Sequence, residues 1–272
     1  MQTRESFLSK GVAPLQGLAE SLQAIAKTVS WGLNRKEILD RLNLPLFNES
    51  SIENFSYLNE WEAKASISGQ GISIPKGIKS EYKDILMNAG KIGFPLAVKL
   101  LSKDLLHKTD IGAVQLNVKN EMQLKKSVFT IQDNLKPYKD KYNSNFFLLE
   151  EMLPAPICEL VVGIKRDHHF GLVLTLGSGG VFADLFKDYH LLLLPVQRDE
   201  IIQKIMTLRA GKLIEGYRGR AGSNLNMVVD CIERLIMFVL NSDPRIIEIE
   251  INPMFVFKEK VIVVDALLAR ED

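Results

Sequence analysis

The sequence predicts an α+β fold of mixed α/β character, arranged as two lobes with antiparallel or mixed sheets. Short apolar and β-branched runs alternate along the chain with stretches of helical periodicity. Several neighbouring runs are joined by connections of hairpin length, which favour antiparallel pairing over a doubly wound parallel sheet. A chain of 272 residues is also long enough to bury a core in each of two lobes.

The N-terminal region, residues 1–50, is predicted to be a helical arm that precedes the main domain, residues 51–272. Residues 41–56 lack periodicity and contain Pro45, so we expect a linker there. The main domain is then expected to begin with a helix over Glu60–Ser68 and a short strand stopped by Pro75. Within the arm, residues 15–40 predict an amphipathic helix from apolar residues at helical spacing: Leu18, Leu22, Ile25, Ala26 and Val29.

The main domain divides into a predicted small lobe, about residues 75–150, and a predicted large lobe, about residues 151–272. In the small lobe we expect helices at 80–92 and 121–134, with strands at 94–101, 113–118 and 146–153. In the large lobe we expect strands at 158–166 and 171–177, helices at 198–208 and 224–241, and a final strand pair at 245–257 and 260–269.

Composition excludes several classes of function. The net charge of +1 gives no global basic field for nucleic acid or an anionic membrane surface. The sequence has no apolar run of 18 residues and no secretory signal, which argues against a membrane protein. The two cysteines lie in apolar segments, typical of buried thiols, and with four histidines they offer no zinc-site spacing. We therefore expect a cytoplasmic protein.

A basic segment in the small lobe is the first candidate for anion binding. Lys99 lies inside an apolar strand, where its ammonium is costly unless it meets an anion, although it could also extend from the strand end. His107 and Lys108 lead into a loop that ends at Gly112. Such a loop can present backbone N–H groups to an anion, and the alternative is a solvated turn.

Two further segments suit parts of a nucleotide. Gly177, Gly179 and Gly180 follow a strand and permit close approach of backbone to a phosphate, although a glycine-rich hairpin turn is an equal alternative. The pair Glu150–Glu151 and the nearby Glu159 flank the predicted link between lobes. Their carboxylates could accept hydrogen bonds from a ribose or an adenine amino group, or could be ordinary surface groups at a strand end.

An acidic strand near the C-terminus predicts a metal site. Glu248, Glu250 and Asn252 alternate with isoleucines and therefore share one face of a strand. If the last two strands form a hairpin, Asn252 and Asp265 converge on one cation through oxygen ligands. Magnesium is the expected ion, because it takes one or two carboxylates and completes its shell with phosphates and water. The alternative is a solvated acidic face.

The order of these segments resembles a known family. The chain contains, in sequence, a lysine in a strand, HKTDIG, EEMLP, ELVVG, a GSGG loop, GYRG, and EIEINP followed by VVDA. It is similar, from about Leu58 to about Arg270, to the ATP-grasp domain of NDP-forming acyl-CoA synthetases. LLHKTDIG and EIEINPMFV are the specific pieces. The resemblance implies an ATP-grasp fold, in which two lobes clasp a nucleotide.

The resemblance also implies a reaction and roles for residues. The family converts acyl-CoA, ADP or GDP, and phosphate reversibly into the acid, CoA and the nucleoside triphosphate, through an acyl phosphate and a phosphohistidine. His107 matches a proposed second phosphate carrier, Glu250 is placed to stabilise or deprotonate a histidine, and Asn252 and Asp265 match the magnesium ligands. The implied nucleotide-binding residues are Lys99 on the phosphates, Lys108 and Gly112, Glu150, Glu151 and Met152 beside the adenine, Glu159 near the ribose, and Gly179 and Gly180.

Several features bear on catalysis. Residues 1–50 weakly resemble the end of a ligase domain, and nothing before residue 58 has the length or glycine pattern of a CoA-binding domain. We therefore expect a ligase that forms carbon–sulfur bonds together with a CoA-binding or ligase partner subunit. Ala113, Leu267 and Asn224 depart from the family pattern, at positions where glycine, arginine and aspartate are common. The alternatives are a decayed ATP-grasp module that senses nucleotide or acyl-CoA, and a carboxylate–amine ligase.

Overall fold

The computed structural model describes residues 2–11, 17–42, 54–105, 108–141, 144–180, 187–241 and 245–272. The chain divides into two compact units, residues 1–48 and 49–272. The first contains helices α1 (Gln2–Ser9) and α2 (Leu18–Leu42), the second of which covers most of the amphipathic helix predicted at residues 15–40. Within the described residues, every helix is too short or too polar to cross a bilayer.

The second unit contains two antiparallel sheets with helices packed against them. Its described elements in chain order are β1 (Phe55–Tyr57), α3 (Glu60–Ser68), β2 (Gly77–Glu81), α4 (Ile85–Ile92), β3 (Leu96–Leu100), β4 (Val114–Val118), α5 (Glu121–Asn134), β5 (Phe146–Glu151), β6 (Cys158–Asp167), β7 (Gly171–Ser178), β8 (Tyr189–Leu193), α6 (Arg198–Thr207), α7 (Arg209–Glu215), α8 (Leu225–Asn241), β9 (Ile246–Val256), β10 (Val261–Val263) and β11 (Ala266–Glu271).

The smaller sheet has the strand order β2-β5-β3-β4. Helix α5 covers it with an apolar stripe at helical spacing, in which Leu124, Val128 and Ile131 are fully buried. The helix begins where Asn120 accepts a hydrogen bond from the backbone of Gln123, so its start follows from an ordinary N-cap. Strand β5 lies at the centre of this sheet and carries Glu150 toward the interior.

The larger sheet has the order β1-β11-β9-β6-β7-β8, with β10 paired to the second half of β9. Its core is the larger of the two apolar clusters, and α8 contributes a continuous buried stripe to it. The predicted strand pair at the C-terminus is confirmed, but its second strand is interrupted. Residues 264–265 separate β10 from β11, and β9 pairs with both.

Helix α3 follows β1 of the larger sheet and precedes β2 of the smaller sheet along the chain, and it packs against β11 of the larger sheet. Asn59 caps it, because its side chain accepts from the backbone N–H of Glu62 while the Glu62 carboxylate accepts from the Asn59 N–H. The cap makes Glu60 the first helical residue. The buried face of the helix consists of Glu60, Ala63, Lys64 and Ile67. Two charged residues therefore occupy positions that an apolar stripe would normally fill.

Some predicted elements were wrong or missed. Residues 72–76 are irregular rather than a strand, and Phe55 and Ser56 belong to β1 rather than to a linker. Strand β2 was missed because GIKSE is polar and begins with glycine. Strand β8 was missed because its outward residues are also apolar: Tyr189, Leu191 and Leu193 are exposed while Leu192 is buried, which hides the alternation. The short helix α7 was missed as well.

Candidate nucleotide and metal site

A cavity of about 390 Å³ opens where α3, the loop after β3, and strands β9 and β11 meet. Its wall includes charged residues from two segments singled out in the sequence, the acidic strand and the basic loop. The described lining residues are Tyr57, Leu58, Glu60, Ser102, Leu105, Lys108, Thr109, Asp110, Lys165, Glu248, Glu250, Asn252, Asp265, Ala266 and Leu267.

The structure brings the two predicted metal ligands together on this wall. Because Ile251 pairs with Ala266 in the β9–β11 register, Asn252 and Asp265 are neighbours across the strands, and the Asn252 N–H donates to the Asp265 carbonyl at 3.3 Å. The Asp265 carboxylate makes no hydrogen bond or ion pair with any residue in the described ranges. Burial, together with the nearby Glu60 carboxylate, raises the pKa of Asp265.

This arrangement fits a hard divalent cation. A carboxylate and an amide oxygen are ligands that Mg²⁺ accepts, and a partly buried carboxylate without a partner is stabilised by a bound cation. The side-chain amide of Asn252 donates to Glu250 only weakly, at 3.4 Å, which leaves its Oδ1 atom free to bind a metal. The residues present therefore suit magnesium.

Other acidic residues line the same wall. Glu248 and Glu250 project from one face of β9, and Lys165 on β6 lies 3.3 Å from Glu248. Glu250 faces Leu267 in the register with β11, at the position where the resemblance leads one to expect arginine. Leu267 supplies no charge to pair with Glu250. Among the described residues, Glu250 has no ion-pair partner.

Beneath the cavity lies a buried ion cluster of Glu60, Lys64, Lys99 and Glu150. The Lys64 ammonium lies 2.7 Å from one oxygen of each glutamate. The Lys99 ammonium contacts Glu60, lies 3.0 Å from Glu150, and donates to the Val264 carbonyl at 3.2 Å. All four side chains are buried, so these contacts satisfy charges that would otherwise be costly.

The charges in this cluster stabilise one another. Burial alone would raise the pKa of Glu60, but Lys99, Lys64 and Lys108 outweigh it and hold that pKa well below its usual range. Burial alone would lower the pKa of Lys99, but Glu60 and Glu150 hold it well above its usual range. Glu60 and Lys99 are thus both ionised at neutral pH.

Lys108 connects the cluster to the cavity. Its ammonium lies 2.8 Å from Glu60, and its side chain is 11% exposed on the cavity wall. The loop that follows is closed by hydrogen bonds from Gly112 to Thr109 and from Ala113 to Lys108. The expectation that these backbone groups are free for an anion is therefore wrong for Gly112 and Ala113. His107 lies outside the described residues.

Gly112 has a conformational reason to be glycine. Its φ is +70°, a backbone conformation that favours glycine. An added Cβ would also lie 2.3 Å from the Asn134 Nδ2 atom, which donates a hydrogen bond to the Gly112 carbonyl. The residue allows the loop to turn back into β4 and so fixes the position of Lys108.

The remaining predicted residues lie away from this cavity. Glu151 accepts from the Lys76 backbone N–H at 2.9 Å, and Met152 follows it in the segment between the sheets. Glu159 on β6 lies beside the glycine segment: the Gly179 N–H donates to the Glu159 carbonyl, and an added Cβ on Gly179 would lie 2.9 Å from the Glu159 Cβ. Burial raises the pKa of Glu159.

The glycine segment itself lies in the connection between β7 and β8. Gly177 pairs with Tyr189 across the two strands, and Gly180 has a φ of +86°. Residues 181–186 lie outside the described ranges. An added Cβ at Gly177 would lie 3.2 Å from the Tyr189 Cβ, so part of the glycine requirement comes from close packing, and phosphate binding by Gly179 and Gly180 remains a prediction.

Two residues of the site were missed in the sequence, Glu60 and Lys64. Both lie on α3, and both occupy buried positions of a helix that also buries Ala63 and Ile67. A signal was present, because the positions i, i+3, i+4 and i+7 that form a core-facing stripe contain a glutamate and a lysine. Charged residues in such a stripe indicate a buried ion pair or a functional site.

Comparison with known proteins agrees with this geometry. A family model described as the ATP-grasp domain matches residues 51–269. The chain is 31% identical over 210 residues to the ADP-forming acetate–CoA ligase I subunit beta of Pyrococcus furiosus, covering 77% of this chain and 90% of that protein. It is 32% identical over 213 residues to the ADP-forming acetate–CoA ligase of Methanocaldococcus jannaschii, covering 76% of this chain and 30% of that protein.

Solved structures give the same result. The chain resembles the dinucleotide-forming acetyl-coenzyme A synthetase 1 of Ca. Korarchaeum cryptofilum, solved with coenzyme A, Ca-AMPCP and HgCl⁺, with a TM-score of 0.72 and 29% identity over 79% of this chain and 93% of that chain. Another structure of that synthetase contains Mg-AMPPCP, and matches with a TM-score of 0.65, 29% identity and the same coverage. The predicted fold and resemblance are confirmed: the chain belongs to the ATP-grasp family, as the domain found in NDP-forming acyl-CoA synthetases.

Proposed function

We propose that the chain is the nucleotide-binding, β-type component of an ADP-forming acyl-CoA synthetase. It would transfer phosphate between ADP or ATP and a phosphohistidine, as part of the reversible conversion of acid, CoA and ATP into acyl-CoA, ADP and phosphate. The observation that carries the proposal is one cavity whose wall presents Lys108, Glu250, Asn252 and Asp265 together. The names of the relatives support a catalytic role and do not favour a non-catalytic sensor.

The cavity would hold the phosphate groups of the nucleotide. Asn252 and Asp265 would hold Mg²⁺, which when bound offsets phosphate charge during phosphoryl transfer. Lys108 would donate from the opposite wall, while Lys99, as part of the buried cluster, would stabilise the position of Glu60 and reach a phosphate only by exchanging one of its present contacts.

The phosphoryl transfer requires a histidine carrier and a group to orient it. During ATP formation the N–P bond of the phosphohistidine breaks, a P–O bond forms with an oxygen of the ADP β-phosphate, and the imidazole keeps the electron pair. Glu250 is placed on the cavity wall without an ion-pair partner in the described ranges, so its carboxylate can accept a hydrogen bond from the other imidazole nitrogen. We propose His107 as a second carrier, by its place next to Lys108 in the sequence.

The complete reaction would need a partner. The relatives named subunit beta imply an α-type subunit, and we propose that it supplies CoA binding and the primary phosphohistidine. We expect the purified chain alone to show no acyl-CoA synthesis and to gain it when the partner is added. Turnover by the chain alone would contradict this division of labour.

Calorimetric titration tests the nucleotide site. We expect ATP and ADP to bind with micromolar affinity in the presence of Mg²⁺, and binding to be lost in the double variant Asn252→Ala, Asp265→Ala. Asp133→Ala is a suitable control, because Asp133 is exposed on α5 and, within the described ranges, its side chain pairs only with the neighbouring Lys136. Nucleotide binding that survives the double variant would place the site elsewhere.

A further inference from the structure

The charges on the cavity wall are unusual for a phosphate site. Among the described lining residues, five carry carboxylates and two carry ammonium groups. Both lysines are already paired, Lys108 with Glu60 at 2.8 Å and Lys165 with Glu248 at 3.3 Å. The other three carboxylates have no ion pair in the described ranges: Asp110, Glu250 and Asp265. A bare polyphosphate entering this cavity would therefore meet net negative charge.

Glu60 determines how much positive charge reaches the cavity. One of its oxygens contacts Lys64 and Lys99, and the other lies 2.8 Å from Lys108. Its side chain has no exposed surface, so water screens these contacts little. One carboxylate is thus shared by three lysines at the base of the cavity, and it offsets part of the charge of Lys108, which projects onto the wall.

Lys108 is held in this position from both ends. Its ammonium is fixed by Glu60, and its backbone carbonyl accepts from the Ala113 N–H at 2.8 Å. An ammonium has three N–H donors, and in the described part of the chain Lys108 uses one of them on Glu60. It therefore keeps donors for a phosphate oxygen, although its charge is partly offset.

We propose that Glu60 is a specificity-determining residue that makes the cavity accept a nucleotide as its magnesium complex and reject the metal-free form. The inference rests on the proposed function. A nucleotide with its metal brings two positive charges to the unpaired carboxylates of the wall, whereas the metal-free nucleotide brings only negative charge. Removing the Glu60 charge leaves Lys108, Lys99 and Lys64 less neutralised, and the metal-free nucleotide then becomes acceptable.

The experiment measures ADP affinity by calorimetry in Mg²⁺ and in EDTA for four proteins: the unmodified chain, Glu60→Gln, Glu62→Gln and Lys108→Met. The quantity of interest is the ratio of the two affinities. Glu62 is a matched control, since it lies on the same helix and its carboxylate faces Lys103 at 3.7 Å, away from the cavity. A purely structural role for Glu60 would weaken both affinities alike and leave the ratio unchanged.

We expect Glu60→Gln to reduce the magnesium dependence by about tenfold, mainly through tighter metal-free binding. Glu62→Gln should keep the ratio of the unmodified chain, and Lys108→Met should make it larger. The Lys108 variant tests the same charge balance without removing a fully buried group. Equal ratios for Glu60→Gln and Glu62→Gln, or an unchanged ratio in Lys108→Met, would overturn this inference alone. An unmodified chain that binds no ADP under either condition would overturn the proposed function and the inference with it.

Discussion

The buried ion cluster and the cavity wall above it contain the same types of charged side chain. In the cluster the charges are paired, whereas on the wall some carboxylates have no ion-pair partner in the described ranges. In the cluster, Lys64, Lys99, Glu60 and Glu150 are buried and every one is paired. On the wall, Asp265 and Glu250 have no ion-pair partner among the described residues. The cluster contributes to holding the two sheets together, because Glu60 comes from α3 and Glu150 from the smaller sheet. On the wall, a positively charged ligand can still pair with the Asp265 and Glu250 carboxylates.

The largest expected effect comes from breaking the cluster. Glu60→Gln should lower the free energy of unfolding by about 3–5 kcal/mol, because it leaves buried lysines without their shared carboxylate. Urea denaturation followed by circular dichroism measures this. Glu62→Gln, on the exposed side of the same helix, should lower it by about 1 kcal/mol at most, through loss of part of the cap. Equal effects of the two substitutions would contradict a structural role for the cluster.

The same pair of proteins gives a pH test. The pKa of Glu60 in the folded chain is held well below its unfolded value, so its contribution is fully present above the unfolded pKa of about 4.3 and is lost as pH falls toward the folded pKa. The stability difference between the unmodified chain and Glu60→Gln should therefore be constant from pH 5 to pH 7. It should shrink below about pH 4. A difference that grows on acidification would show that the sign is wrong.

Asp265→Asn should separate stability from binding. We expect nucleotide affinity in Mg²⁺ to fall by about 10- to 100-fold, because the wall loses its anionic ligand. Stability at neutral pH should be unchanged or higher by about 1 kcal/mol, because the pKa of Asp265 is raised and a charged carboxylate there is unfavourable without a cation. Calorimetry and thermal unfolding of the same samples measure the two effects. A large loss of stability would mean that Asp265 has a structural partner.

The smallest effects concern the loop that positions Lys108. Gly112→Ala should destabilise the chain by about 1–2 kcal/mol, since Gly112 has a positive φ and an added Cβ meets Asn134. Gly90→Ala is the matched control, because Gly90 lies within α4 and an added Cβ there meets nothing within 4 Å. That substitution should stabilise the chain by about 0.5–1 kcal/mol. Effects of the same sign would contradict the conformational role given to Gly112.

Much of the fold and of the cavity wall could be predicted from the sequence, because the patterns that determine them lie within short segments. Helix α5 was predicted with its observed ends, because it has a clear apolar stripe and an asparagine cap. The carboxylates of the wall could be placed on one face because alternation along β9 has a period of two. The convergence of Asn252 and Asp265 followed from pairing two strands joined by a short turn.

The cluster could not be predicted in the same way, because it depends on contacts distant in sequence. Lys64 and Glu150 are 86 residues apart, and nothing local to either predicts that they meet. Strand β2 pairs with β5, which carries Glu150, and the polar sequence of β2 did not predict a strand. At Gly77 an added Cβ would lie 3.1 Å from the side chain of Glu150, its register partner on β5, so this glycine gives room to a residue distant in sequence.

We propose above that Asn252 and Asp265 form the metal end of a nucleotide site in the cavity. A crystal structure of the chain with ADP and Mn²⁺, in which the anomalous signal locates the ion, tests it most directly. We expect an anomalous peak between the Asp265 carboxylate and the Asn252 side-chain oxygen, with a phosphate oxygen beside Lys108. A metal–nucleotide complex bound elsewhere, with Asn252 and Asp265 free of metal, would contradict it.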